Sequence, residues 1–146
     1  MEKILISACL VGDKCNYAGK SNYTSLINDL LEKYELVPFC PEVEGGLSIP
    51  RKPSEIKGEK VINIEGKDVT KYYELGAEKA YNICMYLGIK VAILKENSPS
   101  CGTHTIYDGS FTHTTISGLG YTAKYLKARG IRVLSENDIS SFLEER

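Results

Sequence analysis

The chain has 146 residues, of which 18 are Lys or Arg and 19 are Asp or Glu, giving a formal net charge of −1. That balance argues against the basic footprint of a nucleic-acid binder. Hydrophobic residues at 42% and charged residues at 25% describe a globular chain rather than a disordered one. No apolar run approaches the roughly 18 residues of a membrane span. Read as one α/β domain over 1–146, the chain is long enough to bury about two-thirds of its unfolded surface without a metal or a disulfide.

In chain order, Lys3 to Ser7 is short, apolar and β-branched, which predicts a strand. A polar, turn-rich stretch follows. Thr24 is placed to cap a helix over Ser25 to Tyr34, with Leu26, Ile27, Leu30 and Leu31 at helical spacing. Glu35 to Phe39 predicts a second strand, and Pro38 marks it as an edge. Residues 41–60 hold Gly45-Gly46, Pro50 and Pro53 and predict a loop. Lys60 to Ile64 alternates and is followed by a turn at Glu65 to Asp68, the pattern of a short hairpin strand. Thr70 is placed to cap a long helix over Lys71 to Leu87, whose stripe Tyr73, Ala77, Ala80, Cys84 and Leu87 ends at Gly88. Val91 to Leu94 predicts a central strand.

Asn97 to Gly118 has no helical period, and Asp108-Gly109 predicts a tight turn between Ile106-Tyr107 and Ser110-Phe111. Leu119 to Arg129 predicts a helix stopped by Gly130, Ile131 to Leu134 a last strand, and Asp138 to Glu145 a closing helix capped near Ser135 or Asn137. The alternation predicts a doubly wound, mostly parallel sheet with helices on both faces, a Rossmann-like α/β fold.

The five cysteines are Cys9, Cys15, Cys40, Cys84 and Cys101. Ile6-Ser7-Ala8-Cys9 has the look of a lipoprotein box, but the apolar run before it is too short for an export signal. A cytoplasmic chain with reduced thiols is therefore expected. No CxxC pair occurs, so placement must carry the argument. Ligands of open α/β sheets bind beyond the carboxyl ends of the strands. Cys9 follows the first predicted strand, Cys40 ends the second, and Cys101 follows the central one. Three thiols from separate segments thus arrive at one edge. Cys84 lies in the helix stripe and reads as packing. Cys15 is open between ligand, pocket thiol and bystander. Thiolate-rich sites select zinc, copper(I) or an iron–sulfur cluster, and three thiolates with an open position suit a reactive cluster or a catalytic zinc.

Other chemical groups share these loops. Glu42 is a candidate general acid or base. Ser98 and Ser100 can bond or protonate a substrate, although Ser-Pro also suits a plain turn. Arg51 suits an anion or solvent equally. Lys95 and Glu96 end the central strand, positioned to line the site or to pair with each other. His104 and His113 form no metal-binding helical pair. Tyr17, Tyr107 and Phe111 can stack a flat ring or simply pack.

Three motifs in order then become informative: Ile6-Ser7-Ala8-Cys9-Leu10-Val11-Gly12 with Cys15-Asn16-Tyr17, Cys40-Pro41-Glu42-Val43 with Gly45-Gly46-Leu47 and Pro50-Arg51, and Leu94 to Gly102 with Ile106 to Phe111. Together they resemble the thiouracil desulfidase family over nearly the whole chain. The resemblance implies a 4Fe-4S cluster held by Cys9, Cys40 and Cys101, with one iron open to the sulfur of a thiolated pyrimidine. It implies non-redox desulfuration to uracil and sulfide, with Glu42 and Ser98 or Ser100 handling protons. Such a cluster is oxygen-sensitive in principle, so preparation in air can leave the protein without it. Where the family pattern has Arg-Tyr-Asp-Gly after Cys15, this chain has Asn16-Tyr17-Ala18-Gly19, which bears on the substrate more than on the cluster. Two other readings compete: a cysteine-nucleophile hydrolase using Cys101, which lacks a clearly placed histidine base, and a non-catalytic zinc- or cluster-binding module.

Overall fold

A computed structural model describes residues 1–145. Its centre is a four-stranded parallel sheet built from β1 (Glu2–Ser7), β2 (Tyr34–Phe39), β5 (Val91–Leu94) and β8 (Arg132–Ser135), in the order β2-β1-β5-β8. The expected α/β architecture is present. Strand periodicity divides the core in two. Ile4, Ile6 and Ile93 face α1 (Ile27–Leu31) and α5 (Ile139–Glu144), while Leu5, Ala92 and Leu94 face α3 (Thr70–Leu87) and α4 (Tyr121–Ala128). Each fully buried Leu or Ile among them contributes about 1.5–3 kcal/mol of hydrophobic stabilisation. Pro38 lies on edge strand β2 opposite Ile6 of β1, so a missing N–H there can be turned to the free edge.

β2 lies on one side of β1 and β5 on the other, so the chain reverses its direction of travel across the sheet there. That reversal opens a crevice at the carboxyl ends of the strands. Two antiparallel hairpins complete the fold: β3 (Ser54–Lys57) with β4 (Lys60–Asn63), and β6 (Thr105–Tyr107) with β7 (Thr115–Ser117). A third apolar cluster, Val61, Val69 and Tyr73, seats the first hairpin on α3.

Several local expectations change. The helix expected over Ser25 to Tyr34 is only the five residues of α1, preceded by a turn in which Thr24 Oγ1 accepts from Leu26 N. Tyr34 is taken into β2 instead. The strand over Lys60 to Asn63 pairs backwards with β3, which lies inside the stretch read as a loop. Ile62 makes only an isolated bridge to Asp68 on its other side. Thr70 does not cap α3. Its hydroxyl bonds Asp68 at 2.6 Å and accepts from Val61 N at 2.9 Å, stitching α3 to β4. The closing helix begins as a 3₁₀ turn over Glu136–Asp138 with a capping box on Ser135.

The tight turn expected at Asp108-Gly109 is absent. β6 pairs with β7 across the wider loop 108–114. The carboxylate of Glu55 on β3 takes the N–H groups of Gly109 and Phe111, at 3.0 and 3.1 Å, and so moulds that loop onto the first hairpin.

Candidate active site

Each strand end delivers one thiol. After β1 the chain makes a 3₁₀ turn over Ala8–Val11, which buries Cys9 and closes at Gly12 with φ 109°. Beyond β2, Cys40 precedes the short helix α2 (Pro41–Glu44). This helix packs backbone-to-backbone on α3. A Cβ at Gly45 would lie 2.0 Å from Tyr72 O, and one at Gly76 2.0 Å from Pro41 O, so only glycine fits at both contacts. Beyond β5, the carbonyls of Pro99 and Ser100 accept from the first N–H groups of α4, from Tyr121 at 2.7 Å and Thr122 at 2.8 Å. The loop thus satisfies the helix terminus, and the helix holds the loop that carries Cys101.

These segments wall a cavity of about 410 Å³ lined by Cys9, Cys15, Cys40 and Cys101. Glu42, Ser98 and Ser100 line the same cavity. The residues singled out from sequence are thus brought together, and Cys84 stands apart on the buried face of α3.

The thiols differ in their surroundings. Burial pushes Cys101 up to about 12, opposed by hydroxyls at its sulfur. Ser100 Oγ and Ser7 Oγ each lie 3.4 Å from Cys101 Sγ. Ser7 Oγ accepts from Lys95 N at 2.9 Å, so its single proton is free to point at the sulfur. Cys40 is pulled down to about 7, chiefly by a hydrogen bond from the Cys15 thiol, against burial and with help from Val43 N–H. A bond from Cys15 also lowers Cys9, and Asn22 adds to it. Cys15, set between the two, is raised well above an ordinary thiol by both neighbours.

Glu42 is fully engaged. Its Oε1 accepts from Arg51 Nε at 3.0 Å, and its Oε2 from Ser100 Oγ at 2.8 Å and Ser98 Oγ at 3.3 Å. Ser98 Oγ also accepts from Ser100 N and Cys101 N, each at 3.1 Å. The buried Tyr73 hydroxyl is raised by burial and by the neighbouring Glu42 carboxylate.

Arg51 is not solvated, and the anion it holds is the Glu42 carboxylate. Its side chain is only 7% exposed, and it clasps Glu42, Ser48 O and Cys15 O together. Lys95 and Glu96 both line the cavity, but Lys95 pairs with Glu136 at 3.2 Å rather than with the Glu96 carboxylate. Glu96 instead folds the loop after β5. Its carboxylate accepts from Thr103 N at 2.7 Å, His104 N at 3.0 Å and the Thr103 hydroxyl at 2.9 Å. Burial would raise its pKa, but the bonds from His104, Thr103 and Thr105 outweigh it and hold it at about 2. His104 is spent on Glu96, whereas His113, Tyr17, Tyr107 and Phe111 line the cavity.

Ser7, Asn22 and Glu55 were not singled out by sequence reasoning. Ser7 ends β1 beside Cys101, and that adjacency joins residues 94 positions apart in sequence. Only a polar residue at the end of an otherwise apolar strand could have hinted at it.

The donor set suits an iron–sulfur cluster. It is soft, thiol-only and backed by hydroxyl and thiol hydrogen bonds. Among the described residues no group of three or more His, Cys, Asp or Glu is already arranged to hold a metal ion. A mononuclear zinc needs all its thiolates about 2.3 Å from one atom. A cluster takes one cysteine per iron and so asks for more widely separated sulfurs.

The family described as 2-thiouracil desulfurase matches residues 4–138 of this chain. An uncharacterised protein of Bacillus subtilis (strain 168), YbbK, is 41% identical over 150 residues, covering 96% of this chain and 99% of that one. A solved structure of the 4Fe-4S-dependent thiouracil desulfidase TudS matches with a TM-score of 0.92 and 42% identity, over 97% of this chain and 95% of that chain.

Proposed function

The chain belongs to the 2-thiouracil desulfurase family, and from that premise we propose that it is a 4Fe-4S-dependent desulfidase that removes sulfur from a thiolated pyrimidine such as thiouracil. The single observation that carries the reading is the meeting of thiols from three strand ends with the Glu42–Ser98–Ser100 cluster in one cavity. The overall reaction is hydrolytic: thiouracil and water give uracil and hydrogen sulfide, with no change in redox state. Cys9, Cys40 and Cys101 hold the cluster, and Cys84 does not.

When bound through three cysteines, a four-iron cluster supplies one iron without a protein ligand, a Lewis acid suited to soft sulfur. The chain's own residues manage the protons. Glu42 accepts the proton of the water that attacks the sulfur-bearing ring carbon and returns a proton to the departing sulfide. Arg51 fixes the carboxylate from one side and Ser100 from the other. Ser98 is half-buried where Ser100 is 1% exposed, so Ser98 is the hydroxyl that meets substrate and Ser100 the one that positions Glu42 and the Cys101 sulfur.

No helix among the described residues is long and apolar enough to cross a membrane. The near-balanced charge favours a small molecule over a nucleic acid as ligand, and cysteines used as cluster ligands suit a reducing cytoplasm. Residues 1–146 act as one α/β unit. The test is anaerobic reconstitution with iron and sulfide followed by incubation with 2-thiouracil. Uracil and sulfide should appear in equal amounts. A fully loaded protein that releases neither from thiouracil would refute the proposal.

A further inference from the structure

Three glutamates that line the cavity are buried, Glu42, Glu55 and Glu96, at 8–9% exposure. Glu42 uses both carboxylate oxygens, and so does Glu96. Glu55 does not. Its Oε1 accepts from Gly109 N and Phe111 N, while its Oε2 takes no hydrogen bond among the described residues. Among the described residues no Lys, Arg or His forms an ion pair with it. Nor is Oε2 sealed, since Thr122 Oγ1 is the one fully enclosed side-chain polar atom without a partner among the described residues. An unpartnered acceptor on a buried residue that lines a cavity is costly until a donor meets it.

The donor has a recognisable chemistry. Phe111 is held at φ 59°, a left-handed conformation uncommon for a non-glycine residue, by a loop whose backbone Glu55 anchors. Tyr107 and Phe111 are half-buried and line the cavity with it, so the carboxylate shares the cavity with two rings suited to flank a flat ligand. In a cyclic thioamide an N–H stands directly beside the C=S carbon. We propose that Glu55 is a specificity-determining residue that accepts a ring N–H of the substrate, so that the site selects thiolated heterocycles bearing a free N–H next to the C=S group. The inference rests on the desulfidase reading of this site and adds the substrate edge that is read.

Glu55→Gln isolates the point. The amide oxygen still accepts from Gly109 and Phe111, while the cavity-facing acceptor becomes an NH₂ donor. Equilibrium binding of uracil and 2-thiouracil, measured by calorimetry on the reconstituted protein, should weaken about 10- to 100-fold in the variant. The turnover rate at saturating 2-thiouracil should change far less than KM. Methylating one ring nitrogen of 2-thiouracil should weaken binding to the wild type by a similar factor and make no difference to Glu55→Gln. Glu55→Asp, which keeps the acceptor, should restore part of the methyl discrimination.

A Gln variant with wild-type affinity and undiminished methyl discrimination overturns the assignment. If that variant does not fold, the wild type still decides, because equal binding of the parent and both N-methyl derivatives overturns it alone. Sulfide release together with indifference to N-methylation removes Glu55 and leaves the desulfidase reading standing. Selective uracil binding lost in Glu55→Gln, without sulfide release, does the reverse. A wild type that binds none of these rings overturns both.

Discussion

Cys84 and Cys101 belong to the same apolar cluster, are 1% and 4% exposed, and are raised by burial to about 11 and about 12. At the α3 end of that cluster, desolvation is all that acts on Cys84. At the cavity end, hydroxyls from Ser7 and Ser100 converge on Cys101, and a buried carboxylate lies one hydrogen bond further on. Burial alone therefore does not separate a packing thiol from a ligand. The polar surroundings of the sulfur do, above all the Ser7 hydroxyl with its proton free for it, because such a donor favours a thiolate and nothing in a packing role calls for it.

The largest test of this contrast exchanges each sulfur for oxygen. Cys101→Ser should lose all cluster iron after anaerobic reconstitution. Cys84→Ser should keep its iron and lose about 1–3 kcal/mol of stability from an unpartnered buried hydroxyl, read from denaturant unfolding. The next effect is on turnover. Glu42→Gln should retain iron while its rate falls about 10²- to 10⁴-fold. Wild-type rates in that variant would remove Glu42 from the proton path.

A third test moves to acid. Glu96 titrates at about 2 when folded, below its usual 4.5. A lowered pKa contributes stability that is present above pH 4.5 and is lost as the pH falls towards 2. The contribution is about 2–3 kcal/mol. The stability gap between wild type and Glu96→Gln should therefore shrink across that window, and a gap independent of pH would contradict the role given to the loop after β5. The smallest effect is that of Ser7→Ala, which makes the surroundings of Cys101 more like those of Cys84. It should cost about 1 kcal/mol through the hydrogen bonds lost at Cys101 and Lys95 and leave iron binding intact.

β1, β5 and α3 are legible in the sequence because their apolar periods are strong and their ends are marked, as at Gly88, where φ is 70°. The arrival of Cys9, Cys40 and Cys101 at one edge follows from strand order alone. The hairpins are less legible. β3 and β7 are short and polar, and they exist because they pair and because Glu55 binds a loop 54 residues away, which no local period encodes. The partner of Arg51 is illegible for the same reason. A guanidinium looks solvated until the two carbonyls and the carboxylate that enclose it are brought together by the fold.

The most direct measurement is the iron and acid-labile sulfide content of wild type, Cys84→Ser and Cys101→Ser reconstituted side by side without oxygen. The account predicts four of each per chain in the first two, as in the 4Fe-4S-dependent relative, and none in the third. Equal iron in Cys84→Ser and Cys101→Ser, or none in any of them, would contradict it.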